Sequence, residues 1–418
     1  MIHRAVLENG IRVVAERIPS VKSVSVGLWV NVGSRDEGED EYGVSHFLEH
    51  MFFKGTQSRS AKDIALTIDE LGGELNAFTT RETTTFYAKV LDEHLSIVIN
   101  LLSDILQNSS FDPLEIEKES QVITEEIKMV EDDPEDLIYD LHIEETWRGS
   151  ALSHSILGTL ESVGGMTREK LLGYLRRTYD PLQMVIAVAG RFELSSLIKQ
   201  LEAAFGAYTN QDARHYPRNP PKVVPHTQVK KRKLEQAHLC IGTQGLSYLD
   251  PNRYVLYLLN TLFGGGISSR LFQEVREERG WAYSIYSSPA SYVDGGLFTI
   301  YAGASPRNVG KVIDVVLDML TQVKTEGVQA NELARAKHQT KGSMMLSMES
   351  TSTRMCRIAK EELHFGRSFT LREIIREIDR VSLEEVQALA NMLFQQESLS
   401  VTAIGPVNQK KLHPPVLV

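Results

Sequence analysis

The chain has 418 residues, 42% apolar and 24% charged, a size and composition that suit two or three soluble domains with substantial cores. Its 45 Lys and Arg against 55 Asp and Glu leave a net charge of −10, which argues against a nucleic-acid binder. Two cysteines, Cys240 and Cys356, rule out a disulfide framework and a cysteine-rich metal site. No apolar run has the length of a membrane span or the pattern of a secretory leader, so no membrane partner and a cytoplasmic location are expected.

From the N-terminus, Glu8-Asn9-Gly10-Ile11 reads as a tight turn between two strands. Val24 to Val32 alternates as a strand, and Val44 to Phe53 reads as a helix. Leu75 to Thr79 and Thr83 to Val90 read as two strands around the polar turn Arg81-Glu82. Glu93 to Leu106 and Leu114 to Val130 follow as helices. Thr167 caps a further helix that leads to the buried strand Val185 to Gly190. Gln211 to His226 carries Pro217, Pro220, Pro221 and Pro225 and reads as an extended linker.

Beyond the linker the pattern returns. Ser382 caps a helix leading to a strand that ends at Gly405, and both landmarks lie 215 residues after Thr167 and Gly190. Arg307 to Leu320 matches the helix at Glu93 to Leu106. An internal duplication is the economical explanation, although unrelated α/β domains can share such patterns. The expected fold class is α+β, with two homologous domains, each an antiparallel sheet with helices packed to one side. The expected boundaries are residues 1–210 for the first domain, 211–226 for the linker and 227–418 for the second.

The sharpest chemical feature is His46-Phe47-Leu48-Glu49-His50. On a helix His50 lies about 40° round from His46, and Glu49 about 60° to the other side. Two imidazoles and a carboxylate thus share one face, a set able to hold zinc with an acid beside its open position. The flanking Phe47, Leu48, Met51, Phe52 and Phe53 are bulky, so the polar trio needs partners. A third ligand is required. Glu126 borders the apolar stripe Ile116, Ile123, Ile127 and Val130, and Glu119 lies one heptad earlier on nearly the same face. Such a glutamate can equally be a surface residue paired with lysine.

These residues together resemble the pitrilysin/insulinase family of zinc metallopeptidases, in particular its half-sized processing-peptidase members. Further matches are Gly43 to Gly55, Gly72 to Thr79, Leu262 to Phe272 and Glu274 to Ser284. The resemblance runs from the first hairpin to about Gly405. It implies His46, His50 and Glu126 as ligands of one zinc per chain, Glu49 as general base and Glu119 as the acid behind the ligands. It also implies that Asn76, Ala77 and Phe78 lie on the strand receiving substrate. Arg276 and Tyr283 match the Arg and Tyr that the C-terminal half contributes to catalysis. The implied activity is endopeptidase cleavage of peptides and unfolded segments inside a closed dimeric chamber, with a homodimer sufficient. A catalytically silent structural or partner subunit of the same family is the alternative.

Two other features bear on substrate. Gly264-Gly265-Gly266 lacks the Lys-Ser/Thr ending of a phosphate loop and fits a hinge or a close backbone approach. Glu115 to Glu145 holds 13 acids and 2 lysines, which accounts for the whole net charge. It fits a solvated helix face or an electronegative chamber that favours basic peptides.

Overall fold

The computed structural model describes residues 2–214, 217–409 and 412. They fall into two units, the first within residues 2–129, 154–218 and 347–368 and the second within residues 130–153, 219–346 and 369–412.

The first half of the chain runs β1 (Ile2–Val6), β2 (Arg12–Arg17), β3 (Ser23–Val30), α1 (Val44–Phe52), α2 (Ala61–Glu70), β4 (Glu74–Thr79), β5 (Thr84–Leu91), α3 (Leu95–Asn108) and α4 (Pro113–Asp132). It continues with α5 (Pro134–Thr146), α6 (Leu160–Gly164), α7 (Arg168–Thr178), β6 (Met184–Gly190) and α8 (Leu194–Phe205). The second half contains β7 (Thr227–Lys231), β8 (Ala237–Gln244), α9 (Arg253–Phe263), β9 (Ala282–Ser291), β10 (Gly296–Ala304) and α10 (Val309–Glu326). It ends with α11 (Ala330–Ser347), α12 (Thr351–Phe365), α13 (Leu371–Arg380), α14 (Leu383–Leu393) and β11 (Ser400–Gly405).

The first sheet has the order β1-β2-β6-β3-β5-β4 and the second β7-β11-β8-β10-β9. Placing β7 on β2, β11 on β6, β8 on β3, β10 on β5 and β9 on β4 makes the second order match the first, which adds β1 at its edge. The pairings agree as well: β2–β6 and β7–β11 are parallel and the rest antiparallel. The fold is a duplicated α+β domain, as the repeated landmarks imply.

In the first unit, strand alternation buries both sheet faces. Val24, Val26, Leu28 and Val30 of β3 enter the main core with Phe47, Leu48 and Phe52 of α1 and Val98 and Leu102 of α3. Trp29 points the other way, with Val14, Val185 and Ala187, onto Met355, Ile358 and Ala359 of α12. A Cβ on Gly27 would lie 2.7 Å from the Met355 sulfur, so glycine here lets α12 approach the sheet. In the second unit α5 takes the corresponding place. Its Leu137 and Ile138 pack with Cys240, Tyr301 and Ile404, and its His142 lies over Gly242.

The units therefore differ from the contiguous halves expected at 1–210 and 227–418. Residues 130–153 count with the second unit and 347–368 with the first. The physical reason is that each sheet has a second apolar face to cover, and one helix from the other half of the sequence covers it. His215 and Tyr216 of the expected linker lie outside the described residues. Within the first unit, Arg218 of that segment bonds Asp36 at 2.7 and 3.0 Å and the Asn31 carbonyl at 3.0 Å. In the second, the Val224 N–H donates to the Thr146 carbonyl at 2.8 Å.

Candidate metal centre

The site is built on α1. Val44, Phe47, Leu48, Met51 and Phe52 are buried and fix the rotation of the helix, leaving His46, Glu49 and His50 on another face. The helix starts at Gly43, whose φ of +87° is left-handed. A Cβ there would lie 2.6 Å from the Leu157 carbonyl, so the cap position cannot carry a side chain. Ser45, also buried, shares a 2.9 Å hydrogen bond with the Tyr174 hydroxyl.

Glu126 on α4 meets this face. Its Oε2 lies 3.7 Å from the Nε2 of His46 and 3.7 Å from the Nε2 of His50. The three ligand atoms all fall within 4.8 Å of one another. Metal bonds of about 2.0–2.2 Å in a tetrahedron separate neighbouring ligand atoms by roughly 3.3–3.6 Å. The trio therefore fits one zinc with small adjustment. The Glu126 side chain is 40% exposed, whereas His46 is 9% exposed, so the site opens on its carboxylate side.

A second carboxylate supports this trio. Glu119, also on α4, contacts His50 Nδ1 through Oε2 at 3.0 Å and the Lys54 ammonium through Oε1 at 2.5 Å. With Nδ1 donating to Glu119, the Nε2 lone pair of His50 is directed to the site. Burial works to raise the Glu119 pKa, but its bonds to His50 and Lys54 outweigh it and hold the carboxyl below its ordinary value. Burial also brings the His46 imidazole down to about 4, helped by His50 next to it. His46 is thus neutral and ready to ligate at physiological pH.

Glu49 sits beside the trio. Its Oε2 accepts the Thr79 hydroxyl at 2.6 Å. Burial raises its pKa; the Thr79 bond and His50 oppose the rise, and Glu126 adds to it. A poised carboxylate next to three potential ligands can act as an acid–base group.

Thr79 and Lys54 are site residues that the sequence reading missed. Period-two alternation is the signal for Thr79: Leu75 and Ala77 pack toward the main core, so Thr79 shares their side of the strand. Nothing local singles out Lys54 from other lysines.

The expected substrate residues lie on β4, the outermost strand at one edge of the first sheet among the described residues. The Ala77 N–H donates to the Asn76 side-chain oxygen at 2.8 Å. Phe78 turns to the other face, edge-on to Trp29 at 5.5 Å. Arg276 and Tyr283 lie together in the second unit, the guanidinium 5.3 Å from the phenol ring and 4.7 Å from the Phe272 ring. Phe272–Glu278 winds as a π-helix, and Tyr283 is 74% exposed.

Residues 12–160 match the family model described as Insulinase (Peptidase family M16), and residues 165–340 match the one described as Peptidase M16 inactive domain. The uncharacterized zinc protease YmxG of Bacillus subtilis is 44% identical over 408 residues, covering 97% of this chain and 98% of its own. A solved structure of a peptidase M16 inactive domain from Pseudomonas fluorescens superposes with a TM-score of 0.91 at 18% identity, covering 97% of this chain and 98% of that one. A chain of complex III2 from Candida albicans gives 0.84 at 23% identity, over 97% and 96%. At such identities the two structures show the fold alone.

Proposed function

Because the chain belongs to the insulinase (M16) peptidase family, we propose that it is a zinc-dependent endopeptidase acting on peptides and unfolded polypeptide segments. The observation that carries this reading is the convergence of His46, His50 and Glu126, with Glu49 alongside. Zinc, when bound by these three side chains, supplies polarisation of the scissile carbonyl and of the water that attacks it. Glu49 takes the proton from that water and later delivers it to the leaving amine. Thr79 holds Oε2 of the base and leaves Oε1 for the proton. Glu119 and Lys54 keep His50 oriented.

An extended peptide added to the β4 edge would pair through main-chain hydrogen bonds and displace the Asn76 side chain from the Ala77 N–H. Such binding demands an unfolded segment and tolerates many sequences. The acidic stretch Glu115 to Glu145 favours basic peptides. We assign Arg276 and Tyr283 to oxyanion and substrate contacts in a closed homodimeric chamber, donated by the opposite subunit. The exposure of Tyr283 supports a role outside its own core. The cytoplasm is the proposed compartment, supported by two free cysteines; among the described residues no helix is long and apolar enough to cross a membrane.

The alternative, a silent structural or partner subunit, is disfavoured by the complete residue set. The match to the inactive-domain model begins at residue 165, beyond His46, Glu49, His50 and Glu126. Zinc analysis together with cleavage of a quenched-peptide panel separates the readings. Bound zinc with chelator-sensitive cleavage supports the peptidase; a metal-free, inert chain supports the silent subunit.

A further inference from the structure

The two histidines and the acid–base residue all ride on one nine-residue helix, α1, so anything that fixes its first turn fixes them. That turn has four backbone N–H groups with no partner inside the helix. The ordinary solution is a Ser, Thr, Asp or Asn side chain at the cap. Gly43 forecloses it, by its left-handed φ and by the Leu157 carbonyl that a Cβ would strike. The need is met from six and eight residues upstream. Glu37 Oε2 accepts the Gly43 N–H at 2.7 Å, and Glu37 Oε1 accepts the Ser45 N–H at 2.9 Å. Ser45 directly precedes His46.

Resting on the proposed peptidase reading, we infer that Glu37 is a positioning residue of the catalytic site: a remote cap that sets the placement of α1, and so of His46, Glu49 and His50 against Glu126. Both carboxyl oxygens are engaged as acceptors by backbone donors. Burial pushes the carboxyl up to about 8 and these two bonds oppose the rise, so they favour the ionised form, which offers two acceptors where a merely polar side chain does not. An amide offers one acceptor and turns its NH2 toward the other N–H. Glu37 touches no ligand in the trio. It acts through the helix start, as side chains behind a metal site commonly do, where loss costs about 10–100-fold in metal affinity.

The test uses the full-length protein and zinc itself. Zinc affinity is measured by chelator competition for the wild type, Glu37→Gln and Glu37→Ala, and the cobalt-substituted forms are compared by visible absorption. Ser60→Ala is the control. Ser60 caps α2, a helix of similar length that carries none of the trio, and accepts the Asp63 N–H. Loss of a cap there lowers thermal stability without touching the site. The inference expects about 10-fold or greater weakening of zinc affinity in Glu37→Gln, more in Glu37→Ala where it folds, and an altered cobalt spectrum in both. Ser60→Ala should keep wild-type affinity and spectrum. Glu37→Gln with zinc affinity within twofold of the wild type and an unchanged cobalt spectrum overturns it. A wild-type chain that binds no zinc would instead overturn the peptidase reading on which the inference rests.

Discussion

The Thr79 hydroxyl donates to Glu49 Oε2 at 2.6 Å, joining the last residue of the edge strand β4 to the proposed acid–base residue of α1. The strand offered to substrate and the group proposed to move the proton are thus held to each other. Replacing Thr79 by Val keeps the branched shape and deletes the donor. A hydrogen bond to a charged group is worth about 1.5–3 kcal/mol, so kcat should fall about 10–100-fold with zinc content unchanged. The bond also lowers the Glu49 pKa, so its loss should move the acid limb of the kcat–pH profile upward. Unaltered kcat and an unmoved acid limb would show that Thr79 does not tune the base.

Glu119 bridges His50 and Lys54, so its charge is neutralised by a cation on one side while it orients a proposed ligand on the other. Glu119→Gln should weaken zinc binding about 10–100-fold. Lys54→Met should weaken it less, because Glu119 keeps its contact with His50. Chelator competition measures both. Wild-type affinity in Glu119→Gln would remove Glu119 from the site.

The extent to which this arrangement is legible in the sequence follows from range. His46, Glu49 and His50 fall within one turn of helix, so spacing alone puts them on one face, and the apolar stripe of α4 brings Glu126 to its edge. The repeated landmarks give the duplication, but the order of strands within each sheet does not follow from them. The packing of α12 on the first sheet and of α5 on the second is different in kind: it depends on which remote helix covers a second sheet face, and only assembly decides that. Lys54 escapes for the same reason, since its partner Glu119 is set by the approach of α4 to α1; Glu37 lies only six and eight residues from the N–H groups it accepts from, but the path of the intervening loop is not written in its residue types.

His142 on α5 is fully buried, with Nδ1 2.9 Å from the Thr402 hydroxyl. Burial lowers its pKa to about 3, and His226 adds to the effect. Its folded pKa lies below the unfolded value near 6.5, so the unfolded state binds the extra proton. The stability it contributes is intact above pH 6.5 and is lost as pH falls from there toward 3. The slope should reach at most ~1.4 kcal/mol per pH unit for this one proton. His142→Asn removes the titration and should flatten the pH dependence of urea stability between pH 6.5 and 4. Parallel curves for mutant and wild type would mean that His142 is not the group responsible.

The homodimeric reading predicts complementation. Glu49→Gln and Tyr283→Phe subunits should each be nearly inactive alone. Co-expressed, they form mixed dimers in which one site combines an intact Glu49 with an intact Tyr283 from the other subunit. Peptide cleavage should return to a fraction of the wild-type rate. Mixed dimers isolated with two different tags that stay as inactive as their parents would refute donation across the dimer.

The most direct test of the account is the peptide turnover of Glu49→Gln at matched zinc content. The substitution removes the proton acceptor and leaves His46, His50 and Glu126 in place. The account predicts as much bound zinc as in the wild type and kcat lower by about 10²–10⁴-fold, the usual worth of a general acid–base group. Near wild-type turnover by the zinc-loaded variant would contradict it.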